Sequence, residues 1–184
     1  MQTSGGRARD DRGAPAVDAT DVGHDVAGRV AAFLDAHHVL SLATCGPCGP
    51  HAANVFYARD NFTLFWVSDP SSRHSIELDA DPRVAATIAV DHRDFVTVCG
   101  LQIAGIATRM TDSSDAGQAR ALLEARYPLL KQLSEAQVSL REDYANAAYY
   151  RLEPSRIVLI DNRRGFGHKD TLDLHALKLE RRRS

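Results

Sequence analysis

No stretch of this 184-residue chain approaches the roughly 20 consecutive apolar residues that a membrane-spanning helix needs, so a membrane protein is not expected. An excess of one charge is missing too. The 22 Lys and Arg stand against 24 Asp and Glu, a net charge of −2. A chain so balanced has no strong field to draw it onto nucleic acid or an anionic membrane, and neither is expected as a partner. Its one basic run, Arg181-Arg182-Arg183, is short and reads either as a solvated tail or as a small interaction element. The segment Met1 to Asp21 lacks the charged-then-apolar pattern of an export signal. The expectation is a cytoplasmic protein in a reducing compartment, with its three cysteines as thiols. No Walker loop, GxGxxG or Ser-His-Asp order is present. No residue is assigned a catalytic role, and no metal site is expected.

What is there suits one globular domain: 44% hydrophobic residues provide a core and 25% charged residues a soluble surface. Residues 1–21 mix Gly, Ser, Pro, Arg and Asp without periodicity and read as a disordered leader; 22–170 is the domain and 171–184 a basic tail. Val26, Val30, Phe33 and Leu34 fall at helical spacing in a helix that should stop near His37. A short strand over 38–44 then runs into Cys45-Gly46-Pro47-Cys48-Gly49-Pro50. Strands are expected over 51–58 and 62–68, the second with apolar residues on both faces, as a barrel wall has. A short helix from about Ser71 to Ala80 is closed by Asp81-Pro82, and Arg83 to Val90 alternates as a strand. Phe95 to Met110 reads as two strands or one strongly bent strand, interrupted at Gly100 and Gly105. Helices follow over 114–126 and from Tyr127 to about Leu140, then a strand over 149–160 with a break at Pro154. This order predicts a mainly β (α+β) fold, a split antiparallel β-barrel with peripheral helices, rather than an alternating βαβ unit.

The segment from Trp66 to His74 joins a strand end to a helix start. Hydroxyls at a helix entry satisfy its free backbone N–H groups, and those same groups can hold an anion beside the positive end of the dipole. Arg73 can fork onto two phosphate oxygens, and His74 can donate a hydrogen bond or carry charge. Plain capping beside a surface arginine explains the same residues. Asp79 and Asp81, at the helix's other end, oppose its dipole.

The run Phe62 to Val90 resembles the pyridoxamine 5′-phosphate oxidase-like FMN-binding split barrels. In that family a strand ends in an aromatic and polar pair, then come a Ser-Arg-Lys phosphate clip, a short helix and Asn-Pro-x-Val. Here these are Trp66-Val67-Ser68-Asp69, Ser72-Arg73-His74 and Asp81-Pro82-Arg83-Val84. The resemblance extends to a YhbP-like branch through Ala53-Asn54-Val55-Phe56-Tyr57, Gly100 to Gly105, and Asn162-Arg163-Arg164-Gly165-Phe166-Gly167-His168-Lys169, covering most of 33–170. It implies FMN in a groove at a homodimer interface. Ser71, Ser72, Arg73 and His74 would hold the phosphate, Ser68 and the Val67 backbone would lie near the ring or ribityl chain, and Asn54 and Tyr57 would add contacts. It also implies a flavin-dependent oxidoreductase acting on an unidentified small molecule, or a flavin- or haem-binding storage or sensing protein on the same scaffold. His74 replaces the family's usual lysine, and the hold on phosphate is expected to weaken as pH rises and the imidazole loses charge. The oxidases' Arg-x-His substrate clip is absent, so pyridoxamine-phosphate oxidation itself is not expected. Arg163, Arg164 and Lys169 are either an anion-binding group at the dimer groove or a solvated basic turn.

Cys45-Gly46-Pro47-Cys48 matches the thioredoxin-type dithiol motif letter for letter. That chemistry needs the first cysteine at a helix N-terminus, whereas this segment lies between strands and reads as a hairpin turn, with a secondary redox or metal role as the alternative. His37-His38 reads as an exposed junction and Cys99 as a core hydrophobe.

Overall fold

The computed structural model describes residues 19–133 and 144–176. Helix α1 (Ala19–Ala36) buries Val26, Val30 and Leu34, one stripe at helical spacing. It ends where expected: the His37 ring stacks on Phe33 at 4.0 Å, and its Nδ1 donates to the Phe33 carbonyl at 2.7 Å. Strands β1 (Val39–Gly46), β2 (Gly49–Phe56), β3 (Ala58–Asp60) and β4 (Thr63–Ser68) follow, then helix α2 (Arg73–Ala80) and β5 (Arg83–Ala89). A 3₁₀ turn, Phe95–Thr97, precedes β6 (Cys99–Arg109). Helices α3 (Ser113–Arg126) and α4 (Pro128–Leu133), strand β7 (Ala148–Asp161), a second 3₁₀ turn (Asn162–Arg164) and strand β8 (Lys169–Asp173) follow.

All the strand pairs are antiparallel, in the order β2-β1-β5-β6-β7-β4-β3, with β8 also paired to β7. The strands at the two ends of this order, β2 and β3, are consecutive in the chain and separated only by Tyr57. That covalent link forces the twisted sheet to curl until its ends approach, and the result is a split barrel with helices at its periphery. Leu40, Leu42, Leu64, Trp66, Ile88, Leu101, Tyr150 and Leu152 fill its interior. Phe65, on the opposite face of β4 from Trp66, is also buried, and α3 packs against β3 and β4, which accounts for the two-sided apolarity of that strand.

Several expectations are corrected, though not the form of the segment after Phe95, which is one of the two expected there: a single strand, β6, running through Gly100, with its pairing register shifting at Gly105. Opposite it, β7 does not break at Pro154. Ala104 pairs with Arg156 and Gly105 with Pro154, so Ser155 is the extra residue, and a proline without an N–H is tolerated at such a bulge. The strand expected over 51–58 divides at Tyr57 into β2 and β3, because its two halves pair with different neighbours. Strand β8 crosses the expected domain end at residue 170, and Leu172 and Leu174 beyond it are buried, so the folded region continues into the supposed tail. Helix α1 likewise begins at Ala19, inside the expected leader. The rest of that leader, the end of the second helix expected beyond Leu133, and the basic run at 181–183 lie outside the described residues. Among the described residues no helix is long and apolar enough to cross a membrane.

Candidate functional site

The β4–α2 junction holds the cluster that the sequence singled out. Ser72 occupies the N-cap of α2 with extended backbone angles (φ −64°, ψ 150°), yet its hydroxyl makes no capping bond. It donates instead to Ser75 Oγ at 2.8 Å, and Ser75 Oγ in turn donates to the Asp69 carbonyl at 2.9 Å. First-turn amides that no hydroxyl caps keep their donor capacity toward an outside anion. His74 Nε2 lies between Ser68 Oγ (3.0 Å) and Ser72 Oγ (3.1 Å), which brings Ser68, Ser72 and His74 into one hydrogen-bonded group. Ser71 turns away from it: its backbone N–H and hydroxyl both donate to Asp69 Oδ1, at 2.7 and 2.8 Å, and hold that carboxyl below its usual range. Val67, half-buried at the end of β4, lies beside Ser68.

Arg73 is exposed, and its guanidinium is oriented from two sides. Nε donates to Glu77 Oε1 at 2.7 Å, and Nη2 donates to the Gly49 carbonyl at 3.2 Å. Glu77 is buried, and its other oxygen accepts from Thr44 Oγ1 at 2.6 Å. The Thr44 hydroxyl first, and Arg73 second, hold the Glu77 carboxyl below the usual carboxylate range. It therefore keeps Arg73 in place as a fixed negative partner. Burial first, and the neighbouring His51 second, push the His74 imidazole below its ordinary value, with Glu77 opposing them. His74 thus loses its charge at lower pH than an ordinary histidine. In neutral solution Arg73 is the full cation of this cluster, and His74 contributes a hydrogen bond.

Two expected contacts lie elsewhere. Tyr57 is fully buried at the β2–β3 link, its hydroxyl donating to the Leu34 carbonyl at 2.8 Å and its ring 5.2 Å from the Arg126 guanidinium carbon. It is a core residue because the barrel's two ends meet there. Asn54 sits on the exposed face of β2 and accepts from Ser41 Oγ at 2.7 Å, whereas His51, near His74, is on the other face of the strand. Sequence reasoning passed over Thr44 and Glu77. The four-residue spacing of Arg73 and Glu77 on one helix carried a signal for the second, and nothing local pointed to the first.

The other candidates are distributed over the rest of the fold. Arg163 pairs with Asp161 at 2.8 Å and Arg164 with Asp170 at 3.0 Å. Lys169 lines a shallow pocket of about 240 Å³ with Gln102, Arg156 and Thr171. The opposing carboxylates at the C-terminal end of α2 are matched by cations, Asp79 by Arg109 at 2.7 Å and Asp81 by Arg83 at 2.6 Å. Cys45, near the end of β1, and Cys48, in the turn to β2, are exposed, and Cys99 is buried. Among the described residues no group of three or more His, Cys, Asp or Glu side chains is placed to hold a metal ion.

The family model described as pyridoxamine 5′-phosphate oxidase matches residues 26–161 of the chain. A UPF0306 protein of Yersinia pseudotuberculosis is 30% identical over 150 residues, which cover 80% of this chain and 90% of the relative. Among solved structures, a haem-binding protein from Mycobacterium smegmatis aligns with a TM-score of 0.64 at 22% identity, over 84% of this chain and 59% of its own. The haem storage protein HutZ from Vibrio cholerae aligns with a TM-score of 0.56 at 20% identity, over 69% of this chain and 88% of its own. These structural likenesses establish a shared fold.

Proposed function

The chain belongs to the pyridoxamine 5′-phosphate oxidase family, and from that membership we propose that it is an FMN-binding oxidoreductase whose cofactor phosphate rests on the α2 N-terminus. One observation carries the reading. The start of α2 is left without a side-chain cap while Arg73, exposed beside it, is held by Glu77 and Gly49. This arrangement fits a phosphate monoester, an anion of about −1.5 to −2 charge that takes several donors at once.

In this reading Arg73 supplies the charge and the first-turn amides of α2 supply directional donors. Ser68, Ser72 and His74 present hydroxyl and imidazole groups on the side toward β4. The Val67 backbone and Ser68 lie where the ribityl chain or ring would pass. The flavin itself supplies the redox chemistry, so the protein's tasks are binding, orientation and water exclusion. A second copy of the chain covers the site in this reading, as the family membership suggests. The substrate is a small molecule other than pyridoxamine phosphate, since the Arg-x-His clip with which the oxidases hold that substrate is absent from the sequence.

Haem binding or storage on the same scaffold is the second reading, favoured by the names of two proteins that share the fold. The absorbance spectrum of the purified protein separates the two, a flavin spectrum supporting the first and a haem band the second. Titration then tests the clip. Arg73→Ala should weaken FMN binding at least about tenfold and leave riboflavin binding within about twofold, as loss of a charge-assisted phosphate contact requires. Equal losses for both ligands would exclude the phosphate assignment.

A further inference from the structure

The hairpin between β1 and β2 touches Arg73 directly through Gly49 and indirectly through Glu77, and the two exposed cysteines are built into it. Thr44, next to Cys45, donates to Glu77, and Glu77 accepts from Arg73. Gly46 passes so close to the Glu77 side chain that a Cβ there would lie 2.7 Å from Glu77 Cγ and Oε1. Gly49, next to Cys48, has a φ of +91° and offers its carbonyl to Arg73 Nη2. A movement of the Cys45–Cys48 segment is therefore felt directly at the arginine. Arg73 lies within electrostatic range of both sulfurs, since both cysteines add to the rise in its pKa, after the larger effect of Glu77.

The ladder register also bears on what the thiols can do. Cys45 pairs with Pro50 and Gly46 with Gly49, so Cys48 stands in the two-residue turn, next to Gly49 and three residues along the chain from Cys45. A disulfide needs its Cα atoms about 4.4–6.8 Å apart, so closing one across this turn would fix the turn's geometry. Such a bond forms in the open, where a small thiol can reach it and reduce it again.

We propose that Cys45 and Cys48 form a reversible dithiol site that closes to an intramolecular disulfide by exchange with a low-molecular-weight disulfide, and that closure alters the turn's hold on Arg73. The balance is that of ordinary exchange. One cysteine thiolate attacks the small disulfide and expels one small thiolate. The second cysteine thiolate then attacks the mixed disulfide, forms the Cys45–Cys48 bond and expels the other. Two electrons and two protons pass to the small molecule, which leaves as two thiols. Weaker phosphate binding in the oxidised form is the consequence, and that clause alone rests on the FMN reading above.

The test uses the whole protein equilibrated with oxidised or reduced glutathione. In the oxidised sample the intact mass should fall by two hydrogens, only Cys99 should remain open to alkylation after unfolding, and dithiothreitol should reverse both changes. Cys45→Ser and Cys48→Ser should each abolish the change. The Arg73 Nε–H resonance, assigned with Arg73→Lys, should shift on oxidation of the wild type and stay fixed in both serine variants. Glutathione adducts without an internal bond would overturn the proposal, and so would an internal bond that leaves the Arg73 resonance unmoved. FMN and riboflavin titrations of both redox forms make a separate arm, with a several-fold loss expected for FMN alone on oxidation. If neither form binds FMN the cofactor reading falls, while the mass and the Arg73 resonance still decide the dithiol.

Discussion

Replacing Tyr57 with phenylalanine separates a cofactor contact from a core residue. The side chain is fully buried, and burial pushes its hydroxyl far above the usual tyrosine range. Its one hydrogen bond goes to the Leu34 carbonyl, 2.8 Å away. That carbonyl also accepts from Arg126 Nη2 at 3.0 Å, so losing the tyrosine donor does not leave it unpaired. The expected cost is therefore that of one net hydrogen bond, about 0.5–1.5 kcal/mol, without the added penalty of an orphaned acceptor. For a chain of this size that is a fall in Tm of about 1–6 °C, measurable by thermal or urea unfolding. FMN affinity should stay within about twofold. Unchanged stability with a tenfold loss of FMN binding would refute the core assignment. A second variant sharpens the test: with Arg126→Met added, the Leu34 carbonyl loses both donors. The double change should then cost more than the sum of the single ones, by about 0.5–3 kcal/mol. Additive losses would show that the two donors do not share this acceptor.

The β6–β7 bulge should tolerate no side chain at Gly105, because a Cβ there would lie 2.4 Å from the Glu153 carbonyl oxygen and 2.9 Å from Pro154 Cα, both backbone atoms. Gly105→Ala should lower stability by roughly 1–3 kcal/mol in urea unfolding. Gly117→Ala on α3, where a Cβ meets nothing, should be neutral or stabilising, and similar results for the two would contradict the bulge geometry. The hydrogen bond from Arg163, against the opposing effect of burial, holds the Asp161 carboxyl below its ordinary value of 3.8. Its contribution is present above that value and lost as pH falls through the lower folded one, so Asp161→Asn should destabilise at pH 7 and flatten the acid limb of a stability–pH curve. An unchanged acid limb would remove Asp161 as its source. His74→Lys restores a cation where the imidazole is neutral, and at pH 8 it should tighten FMN binding several-fold in a fluorescence titration while riboflavin binding stays level. Equal gains for both ligands would place the effect outside the phosphate.

What the sequence determined by itself was the local structure and the kind of fold. The apolar spacing of Val26, Val30 and Leu34 marks a helix, the two-sided apolarity of Leu64 to Trp66 marks a barrel wall, and Ser68-Asp69 through Arg73-His74 marks a strand-to-helix junction. These are legible because near neighbours in the chain set them. Tertiary structure decided the rest, where partners lie far apart in sequence. Tyr57 looked like a strand residue facing a ligand until β2 and β3 proved to be opposite ends of one curled sheet. Strand β8 was hidden behind Gly165 and Gly167, and only pairing of residues 169–173 with β7 makes it a strand. The site divides in the same way. Arg73 could be read from its neighbours, but what aims it could not: Thr44 reaches Glu77 across 33 residues, and Gly49 reaches Arg73 across 24. A chain states which groups can bind an anion, and the closing of the barrel determines which of them are already engaged.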